Sequence, residues 1–221
     1  MRPLIFIIPS FFFGCATVST FSGNDSIKHS NSEIKLFDNE ISKYGLKETD
    51  TLLDVGSGFG YQDAQIFRFY PNIFFVLEDI NIKYAKANGS FVLINGKTKY
   101  FKDNFKYVNG TEDSIPFASS SYKLILCHKT VHEFKNPTIM LKELRRILTN
   151  DGILIVEEAI PKIQGEIDPY CKMKHLSKQE LIDLFSKNDF NLISADTTTM
   201  TVKKKNDGNF NILKFKKNTS S

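Results

Sequence analysis

Thr51-Leu-Leu-Asp-Val-Gly-Ser-Gly-Phe-Gly60 decides how this chain folds. A short apolar run carries one acid, Asp54, and then opens into glycines at three alternate positions, Gly56, Gly58 and Gly60. A brief apolar run ended by a glycine turn reads as a buried strand. Lacking a Cβ, the glycines let the backbone turn tightly and let a ligand approach it closely. Tyr61 to Phe69 continues as a helix. Strand, glycine loop and helix in this order place a nucleotide-like ligand over a helix N-terminus. The spacing is Gly-x-Gly-x-Gly, not the Gly-x-Gly-x-x-Gly of dinucleotide-binding folds. It disfavours an NAD-dependent oxidoreductase.

Outward from this stretch, strands and helices alternate. Ile73 to Asp79 is a second strand ending in two acids. Asp79 lies 19 positions after Gly60, where a doubly wound fold needs a carboxylate for ribose hydroxyls. One carboxylate accepts from both hydroxyls. Lys83 to Phe101 begins as a helix and holds two turn signals, Asn88-Gly89 and Asn95-Gly96. Phe105 to Gly110 and Leu124 to Cys127 are the third and fourth strands. Pro137 to about Leu148 is a helix with Met140, Leu141, Leu144 and Leu148 on its apolar face. Asn150-Asp-Gly152 reads as a tight turn, and Ile153 to Glu158 as the fifth strand. Glu157 and Glu158 are adjacent, so on a strand they point to opposite faces.

Residues 160–176 form a polar loop that reads as a lid, with Tyr170 and His175 as candidate substrate contacts. Ser177-Lys-Gln-Glu180 is a capping box that opens a helix to about Lys187. Asn191 to Val202 and Asn209 to Lys216 are strands joined by a turn over Lys203 to Gly208. Upstream, Ser32 to Tyr44 is an amphipathic helix with Ile34, Phe37, Ile41 and Tyr44 on one face. The order predicts an α/β fold: an open, doubly wound, mostly parallel sheet with a C-terminal antiparallel hairpin.

Asp54 to Gly60 resembles motif I of the class I methyltransferases that use S-adenosylmethionine (SAM). Asp79-Ile80-Asn81 resembles that family's Asp-Ile-Ser. Gly110-Thr-Glu-Asp-Ser-Ile-Pro-Phe117, followed by Tyr122 to Cys127, is similar to its "Gly-Asp-Ala-Glu-x-Leu-Pro-Phe … Phe-Asp-x-Ile". His128-Lys-Thr-Val-His-Glu-Phe134 stands in the register of its "His-Val-Leu-His-His-Leu". Glu143 to Val156 resembles its "Glu-x-x-Arg-Val-Leu-Lys-Pro-Gly-Gly-x-Leu". The resemblance covers residues 33–217, densest over 51–60 and 110–158, and is nearest to the ubiquinone-biosynthesis-like (type 11) branch. It implies a Rossmann-like seven-stranded sheet and SAM as cofactor. Gly56, Gly58 and Gly60 then pass its methionine and ribose, Asp54 helps to hold the methionine end and Asp79 the ribose. Thr111, Glu112 and Asp113 flank the adenine, with Cys127 also on the cofactor side. Two positions depart from the family: Thr111 stands where an acid commonly meets the adenine, and Lys123 where "Phe-Asp" has its Asp.

The implied chemistry is attack by a nucleophile of a small-molecule acceptor on the sulfonium methyl. The donor is already activated, so the protein mainly aligns the reactants. His128, His132 and Glu133 are the candidates for lining the acceptor side. A histidine there is either a general base or a partly buried, hydrogen-bonded side chain. No further ligand cluster supports a metal on these three residues.

The chain has 221 residues, a net charge of +4 and three cysteines, Cys15, Cys127 and Cys171. No pair has metal spacing or suggests a disulfide framework. The mild charge does not demand a nucleic-acid partner, and the lysines at 203–205 read as protection for an edge strand. Met1 to Cys15 resembles an export signal: one positive charge, an apolar run too short to span a bilayer, and a loose lipobox at Phe-Phe-Gly-Cys15. Residues 16–32 are a polar linker, and 33–217 are the methyltransferase-like domain. These features predict membrane association through the N-terminus or a lipid on Cys15, against a cytoplasmic alternative. Because SAM is a cytosolic metabolite, they also define an alternative function: a non-catalytic SAM-fold binding protein anchored at the cell envelope.

Overall fold

β1, Thr51–Val55, runs inside the sheet, with every residue but Thr51 buried. It precedes α1, Tyr61–Phe69, and β2, Phe74–Asp79. A computed structural model describes residues 39–83, 86, 91–94, 97–100, 104–199 and 209–218. The signal-like segment 1–15 with Cys15, the linker 16–32, Ile34 and Phe37 of the expected first helix, and the 203–208 turn lie outside the described residues.

The remaining strands are β3 (Phe91–Ile94), β4 (Lys97–Tyr100), β5 (Phe105–Asn109), β6 (Tyr122–His128), β7 (Leu148–Ala159), β8 (Phe190–Thr199) and β9 (Asn209–Lys217). α2 spans Pro137–Ile147 and α3 spans Lys178–Ser186. Seven strands form one sheet in the order β5-β2-β1-β6-β7-β9-β8. Strands β5, β2, β1, β6 and β7 are mutually parallel. Only β9 runs against its neighbours β7 and β8. This is the predicted doubly wound, mostly parallel seven-stranded sheet with its antiparallel hairpin at the C-terminus.

Alternation along the strands sorts the core into two layers. One contains Leu52, Leu77, Leu126 and Ile155 with Ile66 and Phe67 of α1, and Ile41 and Tyr44 from a helical turn over 39–42. The other contains Leu53, Val76, Ile125 and Val156 with Leu141 and Leu144 of α2, and Leu181 and Phe185 of α3. The abundant phenylalanine fills these layers. Phe75 and Phe105 stack at 4.9 Å beside Phe67, and Phe185 stacks on Phe215 at 4.3 Å. Truncating such a ring costs about 3–5 kcal/mol.

Helix ends follow their local chemistry. Asn136 caps α2 ahead of Pro137, and the Ser177–Glu180 capping box forms as expected. At the far end of α2, Arg146 donates to the carbonyls of Ile115 and Phe117, and its guanidinium is held by Glu143. The Ile-Pro-Phe segment is therefore fixed by the Glu-x-x-Arg of another element.

Two expectations are corrected. Asn150-Asp-Gly152 is not a separate turn. It lies within β7, where pairing moves from Tyr122↔Leu148 to Leu124↔Ile153, so four residues bulge opposite one. Backbone pairing of Leu148 with β6 draws the turn-forming residues into the strand. In 83–101, β3 and β4 form a separate two-stranded antiparallel hairpin, with Asn95-Gly96 between them, where no strand was expected.

Candidate functional site

The carboxyl ends of β1, β2 and β7 carry the buried acids Asp54, Glu78, Glu157 and Glu158, and His128 ends β6. The glycine loop sits here, and Gly56, Gly58 and Gly60 all have left-handed backbones, with φ of 74°, 53° and 68°. The loop is pinned to β2: the N–H groups of Gly56 and Ser57 donate to the Glu78 carbonyl. Gly58 N–H donates to Asp79 Oδ2 at 2.9 Å, and Asn81 N–H to Asp79 Oδ1 at 2.7 Å. Each Asp79 oxygen keeps a second lone pair for a hydroxyl donor.

The glycines differ in what surrounds them. A Cβ on Gly56 would lie 2.0 Å from Thr130 Oγ1, whereas one on Gly58 would meet nothing within 4 Å among the described residues. Gly56 makes room for the loop after β6, while Gly58 keeps a concavity open. Beneath the loop, Asp54 is buried against Asp63 of α1. Burial raises both carboxyls, that of Asp63 to about 7, and Asp63 adds further to the rise at Asp54. Asp54 Oδ1, Ser57 Oγ and both Asp63 oxygens have no donor from the described residues. A proton shared between the two carboxyls satisfies part of this need. Glu78 fills the space beside Gly110, and burial, then Asp79, raise it to about 8.

Thr111, Glu112 and Asp113 follow β5 in an exposed turn closed by Thr111 N–H on the Ser114 carbonyl. Gly110 N–H on the Asp79 carbonyl sets this turn beside Asp79. Glu112 pairs with Lys135 at 2.8 Å. Cys127 was expected on the cofactor side. Its side chain is fully buried in the α2–α3 layer because strand alternation turns it away from Leu126 and His128.

His128, His132 and Glu133 do not form one cluster. His128 shares its sheet face with Glu157, while His132 joins Glu158 on the other. His132 Nδ1 lies 2.6 Å from Glu158 Oε2, and Glu158 Oε1 accepts from the Val131 and His132 N–H groups. Burial would lower the imidazole's proton affinity, but the Glu158 hydrogen bond and charge outweigh it and the pKa rises. Donor atoms of Glu133 and Cys171 lie within 4.8 Å of His132. The His175 ring sits 5.4 Å away and is paired with Asp168. The 160–176 loop thus folds over His132 through His175 and Cys171; Tyr170 is exposed.

Around His128 the partners are Glu40, Tyr44, Gln62 and Glu157. Gln62 Nε2 donates to Glu40 Oε1 and to Tyr44 Oη, and Tyr44 Oη donates to Glu157 Oε2. The sequence carries no local sign of this group, because Glu40 and Glu157 are 117 positions apart. Asp63 was equally silent, since an acid in the first turn of a helix ordinarily faces water.

A family model described as a methyltransferase domain matches residues 46–211. YcgJ of Bacillus subtilis (strain 168), an uncharacterized methyltransferase, is 26% identical over 112 residues, 50% of this chain and 42% of its own. The ubiquinone/menaquinone biosynthesis C-methyltransferase UbiE of Hahella chejuensis is 25% identical over 119 residues, 53% of this chain and 46% of its own. The chain thus spans less than half the length of either curated relative in these matches. Among solved structures, a SAM-dependent methyltransferase from Aquifex aeolicus superposes with a TM-score of 0.63 at 19% identity, covering 84% of this chain and 93% of that one. This chain belongs to the methyltransferase domain family.

Proposed function

We propose that this protein transfers the methyl group of SAM to a small-molecule acceptor. The observation that supports this best is the glycine loop: among the described residues nothing fills the space at Gly58, and Asp54 Oδ1 beneath the loop and Ser57 Oγ within it lack donors. A ligand carrying an ammonium and hydroxyls supplies those donors, which fits SAM. Bound SAM supplies an activated electrophilic methyl. Asp54 then faces the methionine end, Asp79 accepts from the ribose while bracing the loop, and the 111–113 turn flanks the base. The acceptor side is the edge formed by the 128–134 loop, the end of β7 and the 160–176 loop. There His132, held by Glu158, can take a proton from the acceptor. Its side chain is buried, so the 160–176 loop must move for an acceptor to reach it.

Calorimetric titration of SAM and S-adenosylhomocysteine into the full chain tests the reading. Micromolar binding of both is expected. A folded sample that binds neither would overturn it.

A further inference from the structure

We propose that Glu40, His128 and Glu157 form a site for one divalent transition-metal ion, at the carboxyl ends of β6 and β7. The three residues come from the helical turn at 39–42, β6 and β7, and one donor atom from each lies within 4.8 Å of the other two. Glu40 and Glu157 are completely buried, and the His128 side chain is 17% exposed.

The outer contacts aim these donors. Gln62 takes one oxygen of Glu40, and Tyr44 takes one oxygen of Glu157. Among the described residues no donor reaches the second oxygen of either carboxylate, Glu40 Oε2 and Glu157 Oε1, and His128 Nε2 has no hydrogen-bond partner; the two glutamates lie close enough to share a proton. Two buried carboxylates and an imidazole nitrogen facing one another are costly unless a proton or a cation lies between them. Outer groups that orient the ligating carboxylates, as Gln62 and Tyr44 do here, are characteristic of metal sites.

One pair of donors is already near ligand spacing, and Glu40 lies within 4.8 Å of both. His128 Nε2 and Glu157 Oε1 are 3.8 Å apart, against about 3.4 Å for two ligands on a tetrahedral ion at roughly 2.1 Å. Two carboxylates with one imidazole suit zinc, manganese, iron(II) or cobalt better than magnesium or calcium, which favour all-oxygen sets. Three protein ligands leave coordination positions open. His128 lies two residues beyond Leu126, which pairs with Asp54, so the ion would sit one strand from the glycine loop. An acceptor oxygen could bind there and be drawn toward its anion. That role rests on the methyltransferase reading, whereas the site itself does not.

The test is titration of chelator-treated full-length protein with Co2+, followed by visible d–d absorption, with Mn2+ binding by electron paramagnetic resonance as a second probe. One equivalent should bind. Glu40→Gln and Glu157→Gln, which keep the volume, should each weaken binding at least tenfold, while His132→Gln and Cys171→Ser leave it unchanged. No binding by folded wild-type protein, binding that survives both glutamine variants, or binding lost with Cys171→Ser would overturn the site. Circular dichroism of each variant shows that it is folded. SAM titration of the same samples separates the two proposals: metal binding without SAM binding sinks the methyltransferase reading alone.

Discussion

Glu157 and Glu158, consecutive on β7, close two different histidine clusters on opposite faces of the sheet: Glu157 lies 3.8 Å from His128, and Glu158 lies 2.6 Å from His132. The strand's two-residue period does this without any loop. The two clusters sit in different surroundings. One is walled by the helical turn at 39–42 and α1, the other by the 160–176 loop. The histidines are shifted in opposite directions, His128 down and His132 up.

Glu158→Gln should lower the proton affinity of His132 by about tenfold or more, since glutamine still accepts from the Val131 N–H but carries no charge. Imidazole proton shifts followed by NMR across pH measure this. An unchanged titration would mean that Glu158 does not set the state of His132.

The two loop glycines should fail differently when substituted. Gly56→Ala drives a methyl into Thr130 at a left-handed position and should cost about 2–3 kcal/mol in denaturant unfolding. Gly58→Ala meets no neighbour and should cost about 1 kcal/mol from backbone strain, while SAM affinity falls at least tenfold. Asp79→Ala should resemble Gly58→Ala, because it removes the carboxylate that braces Gly58. Equal SAM affinity for Gly58→Ala and wild type would show that the open concavity is not the binding surface.

Stability should fall as pH rises from about 4 to about 8. Asp54, Asp63 and Glu78 have folded-state pKa values above the ordinary carboxylate range, the latter two at about 7 and about 8. In that window the folded state holds more protons than the unfolded chain, so unfolding releases them and is favoured by raising the pH. Tm without ligand should be several degrees higher near pH 5 than near pH 9, and Asp63→Asn with Glu78→Gln should flatten the slope. A flat wild-type profile would mean that these carboxyls are ionised throughout.

Arg146→Ala should destabilise the fold by about 1–2 kcal/mol, and Arg146→Lys by nearly as much, because a single ammonium cannot reach both carbonyls and Glu143. Solvent limits the loss, because the side chain is one-third exposed. Urea unfolding checks it; a lysine variant as stable as wild type would show that the forked geometry is unimportant.

Most of the scaffold was legible because its signals are local. The apolar run at 51–55, the span of α1, the Ser177–Glu180 box and the strand alternation that separates Glu157 from Glu158 are each read within a few residues. The hairpin at 91–100 had a local sign as well, an Asn95-Gly96 pair between strand-like runs, yet the lysines at 97 and 99 masked the second strand. The Asn150-Asp-Gly152 turn signal was overridden by pairing with β6. What sequence could not show was convergence. His128 and His132 look like one motif, and only the fold reveals that their acids come from β7 and from residue 40. Asp63 likewise becomes a partner of Asp54 only when α1 lies against β1.

The bulge at 149–152 has a consequence for how this protein can change. One residue gained or lost along a continuous β7 would exchange Glu157 and Glu158 between faces and break both clusters at once. Four residues already stand opposite one at that bulge, ahead of the paired segment that begins at Ile153. Insertions and deletions there can be taken up as slack before they reach the strand's phase, so this chain can vary in length at 149–152 and still deliver each acid to its own histidine.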